Sequence, residues 1–183
     1  SGRPGPVLID IAKNAQVEEV EYNYRKRTRV RSYIPKPIPD QAKVDAAAEL
    51  INGAEKPFVL CGQGVTIARA EKEFREFVEK AGIPVAHTLN GISAFPEDHP
   101  LHVGMLGMHG TYWANQAINH CDLLVSLGAR FDDRVTGKLD TFAPNAYKIH
   151  VDIDPTCIDK NIIVDLPIVG DVKHVIAELI AEM

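Results

Sequence analysis

The residues best equipped for chemistry lie in two short words of the chain. Met105-Leu106-Gly107-Met108-His109-Gly110-Thr111 comes first, and Gly128-Ala129-Arg130-Phe131-Asp132-Asp133-Arg134 follows the apolar run Leu123–Leu127. Glycines let main-chain N–H groups approach a diphosphate closely, and guanidinium forks pair with phosphate oxygens. Gly128, Ala129, Arg130, Asp132 and Arg134 therefore form one candidate contact loop for a long phosphate-bearing ligand. The bland alternative is that these arginines and aspartates pair with each other in water, where such pairs contribute little. Gly107, Met108 and His109 form the second loop: a thioether beside glycine suits a planar ligand, and gap-filling core is its alternative. His109 has no nucleophile or carboxylate orienter nearby in sequence, which favours a contact role over a catalytic one.

Further clusters follow apolar runs elsewhere. Gly62, Gln63 and Gly64 come after Pro57–Cys61, but Ile67 occupies the place of the third glycine in a dinucleotide fingerprint. The next run ends in His87-Thr88-Leu89, with no carboxylate for a ribose, so a standard NAD site is disfavoured. In His150-Val151-Asp152-Ile153-Asp154-Pro155 an acid at a strand end can accept from ribose hydroxyls, or the pair can merely cap a turn. Gly170-Asp171 joins a close-approach residue to a helix N-cap, again either for a ligand or for capping alone.

The intervening pattern predicts the elements that hold these groups. Asp40 caps a helix with apolar residues at Val44, Ala47, Ala48, Leu50 and Ile51, closed by Gly53. Pro57–Cys61 reads as a buried strand, and a helix carrying Ala70, Phe74, Phe77, Val78 and Ala81 ends at Gly82. Residues 83–87 form a second strand, residues 88–110 a long loop, and residues 112–119 a third helix. Strands at 123–127, 148–153 and 168–169 follow, and Asp171 caps a last helix striped by Val172, Val175, Ile176, Leu179 and Ile180. Strands alternating with helices imply an α/β fold: a doubly wound parallel sheet, Rossmann-like, of about five to six strands with helices on both faces. In such sheets ligands bind beyond the carboxyl ends of the strands, the edge on which five clusters fall: Gly62 and Gly64, Thr88 to Gly91, Gly128 to Arg134, Asp152 and Asp154, and Gly170-Asp171.

Residues 1–39 read differently. An apolar run, Pro6–Ile11, predicts a short strand, and then come a basic run from Arg25 to Arg31 and the alternating Pro35, Pro37 and Pro39, which favour an extended strap. Glu18, Glu19 and Glu21 precede the basic run, and stacking surface is limited to Tyr22, Tyr24 and Tyr33, so a solvated or interdomain strap is preferred over nucleic-acid binding.

A length of 183 residues supports one core, with the globular unit at 40–183. The formal net charge of −5 opposes general binding to nucleic acid or an anionic membrane. No apolar run approaches roughly 20 residues and no signal pattern opens the chain, so the expectation is cytoplasmic. Cys61, Cys121 and Cys157 lack metal or disulfide spacing and read as small buried or half-buried hydrophobes, and Pro100 separates His99 from His102, so no metal site is expected.

Together GRPGPVLID, LCGQGV, HTLNGISAFPEDHPLHVGMLGMHGT, DLLVSLGARFDDRVTGKLDTFAP and IHVDIDP resemble the acetolactate synthases, thiamine-diphosphate enzymes, over nearly the whole chain. LGMHGT followed by GARFDDRVTG is the specific part; the glycine turn and IHVDIDP are shared more widely in that superfamily. The resemblance implies that residues 1–39 are the end of a pyrimidine-binding domain plus linker, and that 40–183 are a central FAD-binding domain. It places Gly62, Gln63, Gly64, Thr88, Leu89, Gly107, Met108, His109, Gly128, Ala129, Arg130, Asp132, Arg134, Val135, Asp152, Ile153, Gly170 and Asp171 along the flavin. Arg130, Met108 and His109 would face the isoalloxazine, Gly62 and Gly64 the middle, and Asp152 and Asp171 the adenosine end. Asn90 departs from the glutamine or methionine of the family.

By the same resemblance, thiamine diphosphate and Mg²⁺ belong to other domains of the parent, whose catalytic glutamate lies upstream and whose metal motif lies downstream. Gly170-Asp171 is not that motif, because Val172 replaces its second glycine and eleven residues follow it. No catalytic residue is therefore expected in this chain, and no carboligase activity from it alone. Implied partners are the remaining domains, further copies of the full-length enzyme and a regulatory subunit. Two readings stay open beside this one: an NAD- or ADP-binding central domain, as in other thiamine-diphosphate enzymes or sirtuin-like proteins, and a structural assembly domain with a vestigial site.

Overall fold

The structure, a computed structural model, describes residues 2–26 and 34–183. The elements run α1 (Gln41–Gly53), β1 (Pro57–Cys61), α2 (Gln63–Ile67), α3 (Glu71–Ala81), β2 (Val85–His87), β3 (His102–Met105), α4 (Tyr112–His120), β4 (Leu123–Leu127), α5 (Asp133–Thr136), β5 (Tyr147–Asp152), β6 (Leu166–Val169) and α6 (Val172–Glu182), with short 3₁₀ turns between some of them. All six strands are parallel, in the order β3-β2-β1-β4-β5-β6. This is the doubly wound α/β arrangement that the alternating strands and helices predict.

Period-two alternation divides the strand residues between two apolar layers. Val59, Val125, Ile149 and Ile168 face α1, α3 and α6, where Val44, Phe74, Phe77, Val78 and Ile176 complete the larger layer. Phe58, Leu60, Ala86 and Leu124 face the other way, toward Ala114 and Ile118 of α4 and the Phe131–Phe142 edge-to-face pair. The side chains of Asp40, Thr111, Asp132 and Asp171 accept from backbone N–H groups two or three residues on, satisfying donors that a helix start leaves orphaned. All three cysteines are free and buried, and burial pushes the Cys61 thiol up to about 12.

Four expectations need correction or refinement. Pro6–Ile11 has no ladder partner: Val7 and Leu8 are 85% and 93% exposed, because an apolar run without a neighbouring strand has nowhere to be buried. The helix after Gly64 is two helices, broken where Arg69 takes a left-handed φ of 54° and Ala70 bonds back to Val65. The long loop 88–110 contains an edge strand, β3, whose His-Val-Gly-Met sequence has no apolar alternation to reveal it. Finally, the basic run lies largely in 27–33, outside the described residues; Arg25 and Lys26 are exposed.

The six strand ends emerge on one edge, each tied to its neighbour by backbone. Thr88 N–H donates to the Cys61 carbonyl, Gly62 N–H to Leu127, Gly128 N–H to Val151, and Gly170 N–H to Asp152. Two predictions test this architecture. Phe77→Ala empties a fully buried ring site and is expected to cost about 3–5 kcal/mol, read as a lower urea midpoint at unchanged slope. Gly128→Ala places a side chain at φ 62° with its Cβ 2.6 Å from the Gly64 Cα, both backbone-limited, and is expected to destabilise by at least about 1–3 kcal/mol in the same measurement.

Candidate functional site

The strand ends enclose a cleft of about 920 Å³. This is near the top of the roughly 300–1,000 Å³ range of small-molecule sites. Its walls come from the turns after β1, β2, β4, β5 and β6. At about 4.8 Å per strand step, the four steps from β2 to β6 span about 19 Å, which suits an elongated ligand lying across the sheet edge.

Thirteen of the residues singled out by sequence line this cleft: Gln63, Gly64, Thr88, Leu89, Gly128, Ala129, Arg130, Asp132, Arg134, Val135, Asp152, Ile153 and Asp171. Gly62, Gly107, Met108, His109 and Gly170 do not. The role of the glycines differs from the one their spacing suggests. Gly64 N–H donates to the Gly128 carbonyl at 3.0 Å and Gly62 N–H to Leu127 at 2.9 Å, so neither amide is free for a phosphate. A Cβ on Gly62 would meet the Gly128 carbonyl oxygen, and one on Gly64 would sit 2.6 Å from the Gly128 Cα. Glycine is required there because backbone packs on backbone between the ends of β1 and β4.

Gly107 follows the same logic one loop away. At φ 110° it lies beneath the Arg134 carbonyl, which accepts from Met108 N–H at 2.9 Å, while the Asn115 amide brackets both polar groups of Gly107 at 3.1 Å. The loop therefore buttresses the Arg130–Arg134 segment from behind. The Met108 side chain is 63% exposed, and His109 is exposed beside it, outside the cleft wall.

The loop after β4 is held tightly. Gly128 and Phe131 both have positive φ, 62° and 51°. Asn161 Nδ2 donates to the Phe131 carbonyl at 2.8 Å, His150 Nε2 to the Ala129 carbonyl at 2.8 Å, and Thr136 Oγ1 to the Asp132 carbonyl at 3.2 Å. Arg130 pairs with Asp132, leaving its guanidinium about half exposed on the cleft. The Arg134 backbone N–H, ahead of smaller contributions that include Arg130, holds the Asp132 carboxyl below its usual range.

At the far end, burial raises Asp152 above the ordinary carboxylate range and lowers His150 below the ordinary imidazole value; the two side chains approach to 3.9 Å. Asp152 Oδ1 accepts from Asp154 N–H, and Asp171 caps α6. Asp154 serves the turn instead: it caps Pro155–Cys157 and pairs with Arg3 at 3.6 Å.

Sequence reasoning missed a whole wall. Gly2, Arg3 and Pro4, with Pro35 and Lys36, line the outer side, and Ile67, Ala68, Asn90, Phe131 and Val172 fill gaps. Arg3 is anchored by Nη1 donating to Cys157 Sγ at 2.9 Å. An arginine set among glycine and prolines in GRPGP was its only local signal. With Arg3, Lys36, Arg130 and Arg134 facing Asp132, Asp152 and Asp171, the cleft carries both the cations a diphosphate needs and carboxylates suited to ribose. No group of three His, Cys, Asp or Glu side chains among the described residues could hold a metal ion, and no helix among them is long and apolar enough to cross a membrane.

Comparison with known proteins identifies the family. Residues 44–179 match the family described as thiamine pyrophosphate enzyme, central domain. A probable acetolactate synthase large subunit from Methanocaldococcus jannaschii is 46% identical over 100% of this chain and 32% of its own length. The acetolactate synthase large subunit of Corynebacterium glutamicum is 48% identical over 98% of this chain, and the acetolactate synthase of Mycobacterium bovis 50% over 99%, each over 29% of its own length. The chain thus spans about three tenths of the curated relatives it matches. It belongs to the thiamine pyrophosphate enzyme family, as a central domain of the acetolactate synthase kind.

Proposed function

We propose that this chain binds FAD across its strand-end cleft and, within a full-length acetolactate synthase, serves as a non-catalytic structural domain. The observation that carries this reading is the cleft itself: about 920 Å³, spanning five strand ends, with cations and carboxylates in its walls. Arg130 and Arg134 suit the phosphates or the flavin carbonyls, Arg3 and Lys36 reinforce them from the outer wall, and Asp152 and Asp171 accept from the adenosine end. Thr88 and Leu89 line the β2 side. There a classical NAD site would place an acid at the end of β2, and this sheet has His87-Thr88, which weighs against NAD.

In the parent reaction thiamine diphosphate, when bound with Mg²⁺ by other domains, supplies the nucleophile and electron sink for decarboxylating pyruvate and joining it to a second 2-oxoacid in branched-chain amino acid synthesis. This chain contributes orientation: its residues bind an elongated cofactor and present a rigid edge to the remaining domains. Further copies of the full-length enzyme, a regulatory subunit and a cytoplasmic setting complete the proposal.

Titrating FAD, NAD and ADP against the chain, followed by flavin fluorescence and thermal shift, separates the readings. FAD is expected to raise the melting temperature, more weakly than in the full-length subunit, and NAD is not; a shift with NAD or ADP alone points to the second reading, and no flavin binding even in the full-length subunit overturns the first. Arg130→Ala is expected to weaken FAD binding on the order of tenfold to a hundredfold, the worth of one charged hydrogen bond of about 1.5–3 kcal/mol. Incubating the chain alone with pyruvate, thiamine diphosphate and Mg²⁺ is expected to yield no acetolactate, and its detection contradicts the non-catalytic assignment.

A further inference from the structure

Five polar or charged side chains are buried among the described residues: His87, Ser126, Thr136, His150 and Asp152. Three of them are aimed at the loop that carries Arg130. Ser126 on β4 and His150 on β5 are register partners, both fully buried, and both reach the same carbonyl. His150 Nε2 lies 2.8 Å from Ala129 O, and Ser126 Oγ 3.5 Å from it. Thr136 Oγ1 donates to the Asp132 carbonyl further along.

A carbonyl only accepts, so the His150 Nε2 must carry the proton. Nδ1 is then a bare acceptor, and it is buried with no partner among the described residues. The neighbouring strands put Phe58, Leu60 and Leu124 on the sheet face where His150 sits, with Ser126 and Asp152 as its other buried polar side chains. An aliphatic or aromatic side chain would satisfy that layer without an orphaned nitrogen. What such a side chain lacks is the donor to Ala129. That carbonyl sits between two left-handed residues, Gly128 and Phe131, in a loop that needs external restraint to persist. The Phe131 ring packs on His150 at a centroid distance of 4.8 Å, so the imidazole holds the loop by contact as well. Burial keeps the ring neutral, although Asp152 and Asp159 both favour its charged form.

We propose that His150 is a positioning residue: by holding the Ala129 carbonyl it fixes the backbone from which Arg130 enters the cleft, and so sets flavin affinity without touching the flavin. The inference rests on the flavin-binding reading and extends it to a group outside the cleft wall.

A double-mutant cycle tests it. His150→Phe keeps a ring of similar shape and removes the donor. It is expected to weaken FAD binding about tenfold in the wild-type background. In the Arg130→Ala background the same change is expected to weaken it by less than about twofold, because the group it positions is gone. A merely structural role instead lowers affinity equally in both backgrounds. His150→Gln, whose amide N–H can donate to the same carbonyl, is expected to recover part of the loss. A wild type that binds no flavin sinks the flavin reading itself; bound flavin with unchanged affinity in His150→Phe, or an equal loss with and without Arg130, sinks the role of His150 alone. Should His150→Phe not fold, ¹⁵N shifts of the His150 ring in the wild type decide the contact: a neutral ring protonated on Nε2 at pH 7 supports it, and a ring protonated on Nδ1, or an imidazolium, overturns it.

Discussion

The lack of a side chain at Gly62, Gly64 and Gly128, where the ends of β1 and β4 meet, is the constraint on which this molecule depends. The strand order changes direction between these two strands, so connections leave to opposite faces and a crevice opens there. Gly62 and Gly64 pack directly on Gly128 and Ala129 across that point, and Gly64 N–H closes on the Gly128 carbonyl. Any side chain at these positions would push the two turns apart by roughly the radius of a methyl group. The turns after β5 and β6 are tied to the same edge through Gly128 to Val151 and Gly170 to Asp152. A displacement at the centre would therefore be passed outward along the edge.

Around that contact the protein uses two kinds of restraint. The layers on either side of the sheet are held by apolar burial, which is strong and non-directional. The strand-end loops send Leu106, Ala129 and Phe131 into the second layer and are held in addition by directional bonds: His150 and Ser126 on Ala129, Asn161 on Phe131, Thr136 on Asp132, and Asn115 on Gly107. Hydrogen bonds specify direction better than they supply energy, since each replaces a bond to water. This division suits a site. The apolar layers set stability, and the polar anchors set where Arg130 and Asp132 point.

Much of the fold was legible in sequence because its signals are local. Pro57–Cys61 and Leu123–Leu127 are continuous apolar runs bounded by turns, and α3 and α6 carry apolar stripes. The caps at Asp40 and Asp171 were equally plain. β3 was hidden because an edge strand built from His102, Val103, Gly104 and Met105 buries no full face and so needs no alternation. The misread run Pro6–Ile11 shows the converse: apolar composition predicts a strand only where a partner exists. In the site, the strand-end positions of Arg130 and Asp152 were readable from their place after apolar runs. Arg3 and Lys36 were not, because their approach to the cleft is a tertiary fact with no periodicity to announce it. Their spacing marks the glycines as places where a diphosphate approaches. What approaches them is the protein's own backbone.

That last distinction changes how the cleft must recognise an anion. If glycine amides at the switch point were free, they would form a nest of donors, and phosphate binding would survive the loss of any one side chain. With the Gly62 and Gly64 N–H groups already paired inside the protein, the positive field in the cleft comes largely from four guanidinium and ammonium groups on three separate segments. Such groups are long and mobile, and Arg130 already shares its charge with Asp132. A site built this way gains its affinity from how well each cation is aimed. The backbone supporting Arg130 and the segment carrying Arg3 therefore matter as much as the charges they present. The outer cations lie in 2–4 and 35–36, outside the sheet, so the placement of the flanking segments and the electrostatics of the cleft form one coupled property.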